Sequence, residues 1–149
     1  MCPMSTTDPK PPIPDSELTE ILCRELTSAA PSDWEQISLL YRASTTICQA
    51  ELDTVARDGR QILVGLPGIA HEIMRELRKN MAHPTRGAWF SVELTLARDH
   101  GSAINFNYDH DPEWSPPVDP KVYELDFIAF PRTLECTPAW LSAIITPSE

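Results

Sequence analysis

The stretch from Trp89 to Tyr108 limits most strongly what this chain can fold into. Phe90, Val92, Leu94 and Leu96 alternate there with Trp89, Ser91, Glu93 and Thr95. After a turn at Asp99, His100 and Gly101, Ile104, Phe106 and Tyr108 alternate with Ala103, Asn105 and Asn107. Successive side chains on a strand point to opposite faces, so a period of two marks one buried and one wet face. Two such runs around a short Gly-containing turn predict an antiparallel hairpin with a single core side. That core side has to be covered by the rest of the chain.

Two segments carry helical periodicity suited to the task. Asp15 and Ser16 open the first, with Glu17 and Glu20 at its positive dipole end; Leu18, Ile21, Leu22 and Leu26 form its apolar stripe beside Cys23, and Pro31 closes it. The second follows Pro67-Gly68 and ends at His83-Pro84. Ile69, Ile73, Met74, Leu77 and Met81 share its apolar face, and Arg75, Arg78 and Lys79 are expected elsewhere. Residues 35–55 are rich in β-branched side chains, and Ile37, Leu39 and Tyr41 alternate. Two strands with a turn near Ser44 are favoured, and one amphipathic helix is the alternative. Asp58-Gly59 signals a turn, and RQILV reads as one further short strand.

Toward the C-terminus, Asp119-Pro120 and Thr137-Pro138 both look like a cap followed by Pro at the first helical position. Val122, Leu125, Phe127 and Ile128 are expected to supply apolar bulk to the first of these helices, and Trp140, Leu141 and Ile144 to the second. The order is α-β-β-(β)-α-β-β-α-α. It describes a single α+β domain over residues 15–149, an antiparallel sheet with helices packed on one face. Residues 1–14, with five prolines and no apolar run, are expected to be a solvated tail and not a secretory signal.

Composition narrows the function classes. At 149 residues and 42% hydrophobic content the chain can build one proper core, and no apolar run approaches the roughly 20 residues needed to span a bilayer. The net charge is −10, with both ends acidic and the middle, 57–98, mildly basic. Nucleic-acid binding would need a clustered Lys/Arg face and is not expected. An acidic surface suits a basic protein partner, and it equally serves plain solubility. Cys2, Cys23, Cys48 and Cys136 form no metal-ligand spacing and fit a reducing cytoplasm.

No cofactor, metal or catalytic residue is expected. The four histidines show no HxH or HExxH pattern, the glycines are ungrouped, and there is no GxSxG or SxxK. The cluster Asp109-His110-Asp111 lacks the offsets and the central Gly of a calcium loop. Cys136 has no identifiable base. Phe130-Pro131-Arg132 and Pro138-Ala139-Trp140-Leu141 read as architecture, large apolar groups over one end of the sheet with Arg132 satisfying carboxylates or carbonyls.

The acidic loop DHDPEWSPPVDP places Asp109, Asp111, Glu113 and Trp114 within six residues. Trp89 and Glu93 share the outward hairpin face, with Asp109 expected nearby. An aromatic anchor in a charged rim suits a protein interface. The competing reading has Trp89 or Trp114 simply covering the sheet edge.

The ordered set GAWFSVELTL, FNYDHDPEW, the Tyr123–Asp126 helix, FPR and PAWL resembles the YezG-like immunity proteins of bacterial polymorphic toxin systems. The likeness extends over roughly residues 16–142 and is strongest from Gly87 to Leu141. It implies an α+β fold without enzymatic activity. It also implies a cytoplasmic antidote that binds a cognate toxin domain, a nuclease or an NAD-consuming enzyme. Toxin-contacting residues do not transfer from it. From the residues themselves, the acidic loop is expected to enter a basic cleft of the toxin. An effector chaperone or secretion adaptor without inhibitory activity is the alternative.

Overall fold

A computed structural model describes residues 15–145; the expected tail over 1–14 lies outside them. Helix α1 (Asp15–Ala29) leads into strands β1 (Trp34–Ala43), β2 (Cys48–Ala56) and β3 (Gln61–Val64). Helix α2 (Gly68–Asn80), strands β4 (Ser91–Ala97) and β5 (Gly101–Asn107), helix α3 (Pro120–Ala129), a single 3-10 turn (Leu134–Cys136) and helix α4 (Ala139–Ile145) complete the order. The five strands form one antiparallel sheet ordered β3-β2-β1-β4-β5. The α+β expectation holds, including the strand pair at 35–55. The Ser44 hydroxyl fixes the tight turn there, accepting from the Thr46 and Ile47 amides.

Register explains why β1 is a strand and not a helix. Tyr41 sits opposite Ala50 of β2 and Val92 of β4, and Leu39 opposite Leu52 and Leu94. Ile37, Leu39 and Tyr41 are buried together with Val92, Leu94 and Leu96, which a period of two achieves and a period of 3.6 does not. Leu18, Leu22 and Leu26 of α1 and Ala70, Ile73, Met74 and Leu77 of α2 close this main core. Burying each large aliphatic group contributes about 1.5–3 kcal/mol. Two details of α2 differ from expectation. Ile69 is half exposed while Ala70 takes the core position, and Arg78 is only 4% exposed.

The opposite sheet face carries Gln36, Ser38, Leu40, Glu51, Asp53, Glu93, Thr95 and Asn105, and no helix among the described residues covers it. The C-terminal third instead caps one end of the sheet. Phe90, Trp114, Tyr123 and Leu141 form a second core there, with Trp140 stacked edge-on against Phe90 and Tyr123 at 5.2 and 5.6 Å between ring centroids. Asp119 caps α3 as expected, its carboxylate accepting from the Lys121 amide. The Thr137 hydroxyl donates to the Thr133 carbonyl and does not cap α4. The apolar groups of α3 depart from expectation. Ile128 and Leu125 are exposed, and the buried positions are Tyr123 and Asp126.

Asp126 is buried because Arg78 is. The two make a bidentate pair at 2.7 and 2.8 Å, and the Asp126 carboxylate also accepts from the Thr45 amide and hydroxyl. Arg78 Nε donates to the Trp89 carbonyl at 2.7 Å. This hub ties α2, the β1–β2 turn, the entry to β4 and α3 together. A buried charge is tolerated only when paired and hydrogen-bonded in this way.

Candidate functional site

A groove of about 550 Å³ opens on the uncovered face, at the end nearest the acidic loop. Its floor is Leu40 and Arg42 of β1, Ser91 and Glu93 of β4, and Asn105 of β5; the rim is the loop from Asp109 to Glu113, with Arg86 at one side. Four of the six residues expected at an interface therefore meet around one concavity: Glu93, Asp109, Asp111 and Glu113.

The loop is held in place by side chains whose roles the sequence did not announce. Arg42, nearly buried, donates Nε to the Pro112 carbonyl at 2.6 Å and Nη1 to Gln49 and Glu51 at 2.7 and 2.9 Å. The Gln49 amide reaches the Ser115 carbonyl. Asn107 donates to Ser91 Oγ and to the His110 carbonyl, and accepts from the His110 amide at 2.8 Å. Asp111 accepts from the Glu113 amide, closing an Asx turn in which Glu113 adopts φ 55°. The visible signal for Arg42 was an arginine ending an alternating strand run, where a solvated cation is the ordinary reading.

Asp109, half exposed, turns its carboxylate toward two arginines. Its carboxylate lies 3.2 Å from Arg86 and 3.8 Å from Arg132, and its carbonyl accepts from Trp140 Nε1 at 2.8 Å. Arg132 is buried and donates to the carbonyls of Cys136, Ala88 and Tyr108, with its guanidinium 4.6 Å from the Phe90 ring centroid. The architectural reading of FPR and PAWL holds on these contacts. Burial pushes the Arg132 guanidinium down to about 10, with Asp109 opposing, which leaves it charged at neutral pH. Gly87 permits the arrangement. It has φ +72°, and a Cβ there would stand 2.9 Å from Arg132 Cγ and 3.0 Å from the Phe130 carbonyl.

The two tryptophans correct the expected interface. Trp89 is fully buried in the main core, tilted against Phe106 and edge-on to Tyr41. Trp114 is 8% exposed in the second core. Neither can anchor a partner without opening the fold. The physical reason is a break in the pleat. Phe90 is a bend before β4 begins, so Trp89 and Val92, three apart, share the main core while Phe90 turns into the second one. Extending the alternation of β4 back through Phe90 assigns both aromatics to the wrong sides.

What remains at the groove is electrostatic. Glu93, Asp111 and Glu113 are exposed, and no Lys, Arg or His nitrogen lies within 4 Å of them among the described residues. Three unpaired carboxylates, two on the braced rim and one on the floor, suit Lys or Arg side chains of another molecule. No group of three His, Cys, Asp or Glu among the described residues could hold a metal ion. Cys136 is buried and disulfide-bonded, which removes it as a nucleophile. Among the described residues no helix is long and apolar enough to cross a membrane. No protein-family model matches the chain, and no curated protein matches it.

Proposed function

We propose that this chain is a cytoplasmic immunity protein that binds and neutralises the toxin domain of a bacterial polymorphic toxin system. The observation carrying the reading is the trio of unpaired carboxylates, Glu93, Asp111 and Glu113, around a groove whose rim is immobilised by Arg42 and Asn107. Toxins acting on phosphate-bearing substrates, such as nucleases or NAD-consuming enzymes, present basic clefts. A rim already fixed in shape loses little entropy on docking into one. The net charge of −10 would speed the encounter. In this reading Asp111 and Glu113 enter the cleft, Glu93 pairs at its edge, and Asp109 positions the loop from behind.

The test is capture of the full chain's partner from its native cells, identification of the captured protein, and co-expression of the two. Recovery of a toxin domain whose growth arrest is relieved by this chain supports immunity. Recovery of an effector whose arrest persists replaces immunity with the chaperone or adaptor role. Reversal of both loop charges, Asp111→Lys with Glu113→Lys, is expected to weaken the complex about a hundredfold or more, since truncating one partner of a desolvated charge pair costs on the order of 2–5 kcal/mol. Unchanged affinity in a folded double variant rejects the groove as the contact.

A further inference from the structure

A second concavity, of about 360 Å³, lies on the other side of the molecule between the β1–β2 turn, α2 and Phe130. Its walls are apolar at Tyr41, Ala43, Ile47 and Phe130, and hydroxylic at Ser44, Thr45 and Thr46. Two exposed cations, Arg75 and Lys79, stand at its mouth with no carboxylate within 4 Å among the described residues. Arg78, the third cation there, is committed to Asp126. In a chain this acidic, a cationic mouth on an apolar cleft points to a small anionic ligand with a flat or aliphatic body.

Cys48 lines the cleft and has a base beside it. Cys48 is an exposed free thiol, and its Sγ lies 3.8 Å from His71 Nδ1. Tyr41 Oη lies 3.2 Å from the same nitrogen. Burial, reinforced by the neighbouring Cys48, raises the Tyr41 phenol well above its ordinary range, so it stays protonated and only hydrogen-bonds. A thiol within reach of an imidazole nitrogen is the pairing that activates a sulfur nucleophile.

We infer that Cys48, His71 and the Arg75/Lys79 mouth form a thiol-exchange site for small disulfides bearing carboxylates. The Cys48 proton passes to His71 Nδ1 as the Tyr41 hydroxyl swings its hydrogen away and accepts from that nitrogen, and the thiolate attacks one sulfur of the incoming disulfide. The Cys48–S–S–R bond forms as the old S–S bond breaks. The leaving thiolate departs with the electron pair and takes the proton from the imidazolium. Cys48 sulfur is oxidised and the departing sulfur reduced, so no further oxidant enters.

The test uses two chromogenic disulfides at pH 7 and low salt: the dicarboxylate dithiobis-nitrobenzoate and the neutral dithiodipyridine. Peptide mass mapping locates the label on the full-length chain. The exposed pair Arg75→Gln with Lys79→Gln is expected to slow the dicarboxylate about tenfold and leave the neutral reagent unchanged, as removal of a local attracting field does. His71→Asn is expected to slow both reagents about tenfold or more at Cys48. Cys23, whose half-buried thiol is held protonated by burial, serves as the folding reporter, since slow labelling there shows an intact core. Equal rates for the charge-removed variant with both reagents, or a folded His71→Asn variant as fast as the parent, overturns the site. If His71→Asn speeds labelling of Cys23, the charge-removed variant decides alone.

Discussion

Replacing Asp126 by Asn tests the hub that joins the two cores. The substitution keeps the shape and one acceptor but leaves the Arg78 guanidinium, 4% exposed, without its counterion. Breaking one side of a buried pair costs about 3–5 kcal/mol, mostly the penalty of the stranded charge. For a domain near this size that corresponds to a fall in Tm of roughly 6–20 °C. Removing both charges, as Arg78→Met with Asp126→Leu, should cost less than the two single changes added together. The stranded charge is then gone, and what is lost is a partner for the Trp89 carbonyl and for the Thr45 amide and hydroxyl, about 1–3 kcal/mol for each buried group left unsatisfied before any gain from apolar packing. Urea unfolding of parent, both single variants and the double variant measures the coupling. If Asp126→Asn loses less than about 1 kcal/mol, or if the two single losses simply add, the pair is solvated and the burial argument fails.

Other perturbations give separate readouts. Gly87→Ala forces a side chain into a left-handed backbone against Arg132 and should cost about 2–4 kcal/mol in urea unfolding; a neutral effect would show that Arg132 is free to move. Arg132→Lys keeps the charge but replaces a fork whose two nitrogens reach three carbonyls by a single compact ammonium, so thermal melting should fall by several degrees, and a melting curve equal to the parent's would argue that the fork geometry is idle. Burial pushes Tyr123 up to about 12, with the Asp111 charge adding and a Trp114 hydrogen bond opposing. Its folded form holds a proton that the unfolded chain releases near pH 10, so the stability it contributes is present below pH 10 and lost as pH rises toward 12. Tyr123→Phe should therefore flatten the alkaline fall in urea midpoint over that window, and parallel curves for the two proteins would refute the shift.

Period-two patterning was legible wherever neighbouring strands ran undisturbed. Ile37, Leu39 and Tyr41 declared β1 against the helical alternative because their register partners in β2 and β4 bury the same face. The pattern failed at the entry to β4, where a bend at Phe90 swaps the sides of two aromatics and no local residue type marks it. Hydrophobicity misled in α3. That helix sets Tyr123 into the second core and Asp126 against the Arg78 guanidinium, and Ile128 stays out. The acidic rim could be read in advance because its residues are consecutive. Arg42 and Arg78 could not, since each takes its role from a carbonyl or carboxylate far away in the chain.

The strand order has a consequence for how this protein comes apart. β1, β2 and β3 are joined by tight turns, as are β4 and β5, and only the β1–β4 ladder closes a loop of roughly fifty residues. That seam is the slow junction in assembly, because loop closure precedes its hydrogen bonds. If the β4–β5 hairpin lifts away, β1 becomes a ten-residue edge displaying Ile37, Leu39 and Tyr41. A long apolar edge of that kind recruits other chains. Opening at this one ladder, more than fraying at either outer strand, is the route by which the protein would aggregate.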